Sequence, residues 1–229
     1  MKVAVIPARG GSKRIPRKNV ATFHGRPMIG WSIAAARAAA CFDRIVVSTD
    51  DDEIASIAEA EGAEVPFRRP AHLADDHAPT VPVVAQAAEA LVLPPDTAVC
   101  CLYATAPFVR PEDLAEGARL LGRGASYAMA VTRFGYPIQR ALRRGRDGSV
   151  EMIDPANMLV RSQDLEEAWH DAGQFYWARA ATWTAGTPVF GPGAAGVALP
   201  AYRVQDIDTP EDWRRAEVLF GALEAGGWD

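Results

Sequence analysis

Cysteine is scarce in this chain of 229 residues: Cys41, Cys100 and Cys101 are an odd number without metal-ligand spacing. That excludes a disulfide framework, and the adjacent pair inside an apolar run reads as buried, reduced thiols. Histidine is nearly as sparse. His24, His72, His77 and His170 are scattered, with no H-E-x-x-H and no Cys/His set, so zinc catalysis has no support. A basic excess is missing too: the net charge of −5 argues against a general nucleic-acid binder, which presents a broad basic surface to phosphate. No apolar run is long. The one before Arg9 is too short for a signal core or a membrane span, so a cytoplasmic protein with no membrane partner is expected. Internal repeats and low-complexity segments are absent as well. What is present is ordinary for a folded protein, 49% hydrophobic and 23% charged residues, enough for one main domain around one substantial core.

Charge is unevenly distributed. The first 40 residues hold Lys2, Arg9, Lys13, Arg14, Arg17, Lys18, Arg26 and Arg37 and no acid, whereas residues 204–229 are acidic. An anion site near the start and a separate carboxylate cluster near the end follow from this asymmetry.

Residues 2–8 form a short apolar, β-branched run, followed by a Gly-rich basic loop and a helical stretch over 27–40 with Pro in its first turn. RIVVST (44–49) repeats the buried-strand pattern, and Asp50 to Asp52 suit the cap of a helix reaching Glu61. A weak strand over 65–67, an irregular stretch over 68–79, a helix over 80–93 and the continuous apolar run AVCCLYA (98–104) come next. Alternating units of this kind predict a doubly wound, mostly parallel α/β sheet with its ligand at the carboxyl ends of the strands. The rhythm breaks over 134–171, which reads as an inserted arm. Strands resume at 174–177, and Thr209-Pro210-Glu211-Asp212 opens the last helix with Thr as N-cap.

The loop IPARGGSKRIPRKN (6–19) sets Gly10, Gly11 and Ser12 directly after a strand, with Arg9, Lys13, Arg14, Arg17 and Lys18 around them. Glycines let backbone approach a ligand closely, and clustered cations stabilise phosphate charge. Triphosphate binding is the chemistry this suggests, against the alternative of a solvated basic loop. Neither G-x-x-x-x-G-K-[ST] nor G-x-G-x-x-G is present, which disfavours P-loop NTPases and dinucleotide-binding dehydrogenases. Asp50 to Asp52 are open to two readings, nucleotide contact or helix capping.

IPARGGSKRIPRKN resembles the N-terminal signature of the acylneuraminate cytidylyltransferases, enzymes that activate sialic acids with CTP. STDDDEIA, RRPAHLADDHAPT and QDIDTPEDW follow in matching order, so the similarity covers most of the chain. The resemblance implies a Rossmann-like nucleotidyltransferase fold, with 134–171 in the place of a dimerising arm and hence a homodimer. It also implies that Arg9, Gly10, Gly11, Ser12, Lys13, Lys18 and Asn19 meet the phosphates and ribose of CTP, while Arg69 and the segment through Thr80 meet cytosine and ribose. Where sialic acid activators typically carry Q-P-T-S-P, this chain reads Tyr103-Ala104-Thr105-Ala106-Pro107. CLYATAPF, YPIQRAL, RSQDLEEAWHDAGQFYWARA and YRVQDIDTPEDW together resemble the pseudaminic acid branch of the family. The partners implied are CTP and a nine-carbon sugar acid. Tyr103, Thr105, Gln139, Arg140, Arg161, His170 and Gln174 are expected around the acid.

Asp206 and Asp208 alternate about Ile207, so on an extended segment both carboxylates face one side. Two hard oxygen ligands suit Mg²⁺; the alternative is a polar strand edge with Asp208 helping to cap the next helix. Arg9, Lys18, Asp206 and Asp208 are the candidate catalytic set, working by positioning and charge with no obligatory histidine base. The acid's carboxylate needs a cation, and Arg140, Arg161 and Arg179 are candidates because Arg binds carboxylates bidentately. His170 reads either as a contact to a polyhydroxylated acid or as an interfacial histidine. Trp169, Phe175, Tyr176 and Trp177 read as core or dimer packing. The rival readings are activation of another acid (sialic, legionaminic or a shorter ulosonic acid), a metal-dependent glycosyltransferase, and a non-catalytic nucleotide sensor.

Overall fold

The computed structural model describes residues 1–75 and 78–226. In chain order these form β1 (Lys2–Pro7), a small ribbon of β2 (Thr22–Phe23) and β3 (Arg26–Pro27), α1 (Met28–Ala38), β4 (Arg44–Ser48) and α2 (Asp52–Ala60). Then come α3 (Thr80–Ala90), β5 (Ala98–Leu102), α4 (Pro111–Gly122), β6 (Tyr127–Arg133), β7 (Leu142–Arg144) and β8 (Val150–Met152). The chain ends with β9 (Trp169–Arg179), α5 (Ala180–Thr184), β10 (Ala195–Ala198) and α6 (Pro210–Glu224).

One sheet runs β10-β6-β9-β5-β1-β4. The pairs β1 with β4, β1 with β5 and β10 with β6 are parallel, and β9 lies antiparallel between β5 and β6. This is the expected doubly wound, mostly parallel α/β sheet. Its central strands are continuous apolar runs because both faces are covered. Ile29 and Ile33 of α1, Ile54 of α2 and Leu114 of α4 share one core with Ile6, Val47 and Leu102. On the other face Val84 and Ala87 of α3 and Trp183 of α5 pack with Val3, Val5 and Val99. A smaller cluster seats α6 through Ala216 and Phe220 against Phe23, Met28 and Ile207.

Local signals set most element ends. Asp51 is the N-cap of α2, its side chain accepting from the Ile54 amide at 2.9 Å. Thr209 and Asp212 form a capping box that opens α6, with Pro210 at N1. Two expectations need correction. Residues 65–67 form no strand and leave only isolated bridges, Val46 with Glu64 and Thr49 with Arg68; Pro66, at the centre, has no amide to donate. The strand expected from 174 begins at Trp169, because Trp169, His170 and Asp171 pair with Arg133, Thr132 and Val131 of β6 across a register shift. A bulge of this kind interrupts the alternation that marks a strand in sequence. Neither α4 nor β6, which fill residues between the central strand and the arm, was anticipated.

The chain leaves the sheet at Phe134, whose amide donates to the Ala168 carbonyl at 3.0 Å, and returns with β9 at Trp169. The excursion carries the β7–β8 hairpin and several single 3₁₀ turns. It also exposes Tyr136 (87%) and Leu159 (93%), together with Leu142, Val150, Ile153 and Met158. Among the described residues no helix is long and apolar enough to cross a membrane.

Candidate active site

The basic loop leaves β1 at the carboxyl end of the sheet and is held from below by the β4–α2 junction. The Gly10 amide donates to Asp50 Oδ1 at 3.1 Å, and a Cβ at Gly10 would lie 2.6 Å from Asp51 Oδ2, so only glycine fits there. Arg17 donates to both oxygens of Asp51, at 2.6 and 3.0 Å, and also to Glu53. The Arg17 hydrogen bond is the main reason that the Asp51 carboxyl falls to about 2. Arg17 adopts φ 57°, a left-handed conformation that costs a side-chain-bearing residue about 1–2 kcal/mol; the bidentate ion pair with Asp51 anchors its side chain in that conformation. Asp50 and Asp51 therefore order the loop and cap a helix, and Arg17 serves them. Asn19, buried, donates to the Arg9 carbonyl at 3.0 Å and closes the loop on itself.

The remaining loop cations turn toward a cavity of about 450 Å³ at the carboxyl ends of β1 and β5, where open α/β sheets bind ligands. Arg9, Ser12, Lys13, Arg14, Lys18 and Asn19 line it from the loop. Arg69, Leu73 and Asp75 line it from the irregular stretch, Thr80 and Val83 from the start of α3, and Tyr103, Ala104 and Thr105 from the end of β5. Asp208 completes the wall. Lys18 reaches across to it, donating to the Ile207 carbonyl at 2.6 Å and to Asp208 Oδ1 at 3.2 Å, while Arg14 donates to Asp208 Oδ2 at 2.7 Å. Arg69 is 6% exposed and its guanidinium pKa is lowered, first by burial. It donates to the hydroxyl of Ser48 at 3.1 Å and to the carbonyl of the same residue. Tyr103 and Thr80 join hydroxyls at 2.8 Å.

Other expected residues lie elsewhere. Gly10 and Gly11 shape the loop without lining the cavity. Gln174 is buried, donating to the Arg203 carbonyl at 2.6 Å. His170 is exposed at the start of β9, its Nδ1 2.8 Å from the Asp171 carbonyl oxygen and its ring against Phe134. Gln139 donates to the Glu166 carbonyl, Arg140 to Ser162 and Arg161 to Asp164, all within the excursion. Arg179 donates to the Asp96 carbonyl and pairs with Ala98, at the end of β5 opposite the cavity, which removes it as a carboxylate ligand. Asp76 and His77 of RRPAHLADDHAPT lie outside the described residues. Asp75 lines the cavity within the segment expected there, whereas sequence reasoning missed the buried ion pair of Arg203 with Asp113, at 2.5 and 3.1 Å. Nothing local marks a pair that far apart in the chain.

Residues 3–184 match the family model described as cytidylyltransferase. The chain belongs to the cytidylyltransferase family. It is 41% identical, over 95% of both chains, to a pseudaminic acid cytidylyltransferase of Campylobacter jejuni. It is 30% identical, again over 95% of both chains, to a CMP-N,N'-diacetyllegionaminic acid synthase of Legionella pneumophila. Among solved structures, a CMP:2-keto-3-deoxy-manno-octonic acid synthetase complexed with CTP matches with a TM-score of 0.70 over 97% of this chain and 99% of that one. At 18% identity that likeness speaks to the fold alone.

In this cytidylyltransferase the segment around Ile207 lies outside any strand, and Ile207 is buried against Phe23 and Met28. Asp208 does not cap α6, since Thr209 and Asp212 do. Asp206 is exposed, and its carboxyl sits above the ordinary range, first by desolvation and next by the like charge of Asp208, with Lys18 pulling the other way. Asp208 lines the cation-lined cavity and Asp206 does not; two carboxylates that repel one another are hard oxygen donors and would suit a divalent ion. Among the described residues no group of three or more His, Cys, Asp or Glu is placed to hold a metal, which disfavours an all-protein cage.

Proposed function

We propose that this chain transfers CMP from CTP to the anomeric hydroxyl of pseudaminic acid, giving CMP-pseudaminate and pyrophosphate. The observation that carries the proposal is the cavity at the carboxyl edge of the sheet, where Arg9, Lys13, Arg14 and Lys18 face Asp208 across one space. The acid itself rests on the near full-length similarity to a pseudaminic acid cytidylyltransferase. The sugar oxygen attacks the α-phosphorus, the bond from that phosphorus to the bridging oxygen of the β-phosphate breaks, pyrophosphate departs, and the hydroxyl proton passes to solvent water. Arg9, Lys13 and Lys18 stabilise charge growing on the phosphoryl oxygens and on the departing pyrophosphate. Arg69 and Thr80 would hold the nucleoside end, and Tyr103 and Thr105 the end nearer the acid. Asp206 and Asp208 would hold Mg²⁺, which when bound supplies positive charge to the phosphates and lowers the pKa of a coordinated hydroxyl.

The test supplies protein, CTP and Mg²⁺ with pseudaminic, legionaminic, sialic and a shorter ulosonic acid in turn, and measures pyrophosphate. Release with pseudaminate at a kcat/KM at least tenfold above the others is expected. Release with another acid and none with pseudaminate would make the substrate assignment wrong, and no release from CTP with any acid would remove the activity.

The excursion over 134–171 is proposed as a dimerising arm, because it exposes several large apolar side chains within one segment, and exposed apolar surface of this kind marks contact sites. Analytical ultracentrifugation is expected to read the mass of two chains, and the pair Tyr136→Glu with Leu159→Asp to shift it to one. The proposed location is the cytoplasm, where CTP is available as co-substrate.

A further inference from the structure

Behind Tyr103 the hydroxyl chemistry continues away from the cavity. Its ring lies tilted against Tyr176, centroids 5.6 Å apart, which sets the two phenols side by side. Tyr176 donates in turn to Asp171 Oδ2. Asp171 is fixed in that position by its own backbone: its Oδ1 accepts from the Gly173 amide at 2.9 Å, across a turn in which Gly173 has φ 61°. Thr80, Tyr103, Tyr176 and Asp171 thus form one line of polar groups from the cavity wall to the base of the arm. Tyr176 is 5% exposed, and burial holds its hydroxyl well above the ordinary phenol range, so it remains a proton donor. Burial also pushes Tyr103 up to about 12.

The direction of the line follows from counting protons. A carboxylate only accepts, so the single Tyr176 proton goes to Asp171. The Tyr176 oxygen then faces Tyr103 as a lone pair and is satisfied only if Tyr103 donates to it. The Tyr103 oxygen in turn accepts from Thr80, whose proton is thereby drawn inward. What remains facing the cavity is oxygen lone pairs on Thr80 and Tyr103. Chains of hydrogen bonds polarised in one direction reinforce one another in a low-dielectric setting.

We propose that Asp171 is a positioning residue that orients this line, so that Thr80 and Tyr103 present hydrogen-bond acceptors to the cavity and select a ligand O–H or N–H donor. The inference rests on the reading of the cavity as the site for CTP and a sugar acid. The donor belongs either to the nucleotide (an exocyclic amine or ribose hydroxyl) or to a hydroxyl of the acid. With asparagine at 171, the amide donates as well as accepts, the Tyr176 proton is no longer committed, and the line loses its direction.

The experiment measures, by calorimetry with a chelator present, binding of CTP to the protein and of pseudaminate to the CTP-saturated protein. The parent, Asp171→Asn, Tyr103→Phe and the double variant are compared. One of the two affinities is expected to fall about tenfold in each single variant, and the double variant to be no worse than the weaker single, because both break one line. Loss confined to CTP assigns the donor to the nucleotide, and loss confined to the acid assigns it there. In turnover the same ligand's KM rises about tenfold while kcat stays within threefold. Affinities within twofold of the parent in Asp171→Asn overturn the proposal, as do losses that multiply in the double variant, the mark of independent structural effects. A thermal midpoint within a few degrees of the parent shows that Asp171→Asn still folds; should it not, Tyr176→Phe, which cuts the same line and leaves the carboxylate in its Gly173 turn, is read against the same outcomes. Pyrophosphate release by the parent tests the catalytic reading separately: with no release but the expected binding losses, the catalytic reading fails and the orienting role of Asp171 stands.

Discussion

Asp208→Asn is expected to lower turnover by about three orders of magnitude, or ~4 kcal/mol of transition-state stabilisation, while CTP affinity stays within severalfold. Asp208 lies 2.7 Å from Arg14 and 3.2 Å from Lys18 and lines the cavity. Asparagine keeps the shape and removes the charge, so the Lys18 ammonium loses its counter-ion and a divalent metal loses a hard ligand. Ground-state binding survives because Arg9 and Lys13 also line the cavity, whereas charge that develops only during displacement loses its stabiliser. Single-turnover pyrophosphate release together with calorimetric CTP binding separates the two effects. Turnover within tenfold of the parent would sink the assignment of Asp208 to metal and charge, and an equal loss of both quantities would point to a collapsed cavity.

Arg203→Met is expected to cost about 3–5 kcal/mol of folding stability, lowering the thermal midpoint by roughly 10 °C. Arg203 and Asp113 are both buried and joined through two hydrogen bonds. Removing the guanidinium leaves a carboxylate shut away from water with the Arg110 amide as its remaining donor, at 3.0 Å. The Arg203 carbonyl also accepts from Gln174, so one residue ties the start of α4 and the middle of β9 to the segment that leads into Asp206 and Asp208. Part of the loss should return in a double variant with Asp113→Leu, because a buried pair replaced by apolar groups no longer strands a charge. Chemical denaturation of the single and double variants measures this; a single-variant cost below about 1 kcal/mol would show that water reaches the pair.

Several features of this cytidylyltransferase could be read locally. The Asp51 cap, the Thr209 and Asp212 capping box and the buried runs of β1, β4 and β5 each depend on residues within a few positions of one another, so their signals lie in short windows of sequence. The basic loop was visible for the same reason. Its division of labour was not, because Arg17 finds Asp51 and Glu53 only once β1 and β4 lie side by side. The strand β9 was half legible. Its aromatic end has the composition of a strand, but its first residues, Trp169 to Asp171, are strand only because β6 pairs with them across a bulge.

The sequence by itself determined the class of sheet, the helix caps and the presence of an anion-binding loop followed, much later, by a carboxylate pair. Those are matters of periodicity, capping chemistry and charge, all carried by neighbours in the chain. Only the tertiary structure decided which cations face the cavity, that Asp208 meets Lys18 and Arg14 from nearly two hundred residues away, that Arg179 sits at the wrong end of the sheet, and that Thr80, Tyr103, Tyr176 and Asp171 make one line. These pairings are made by strand order and crossover connections, which bring together residues that share no local pattern, and hydrogen bonds at such separations leave no trace in the sequence around either partner.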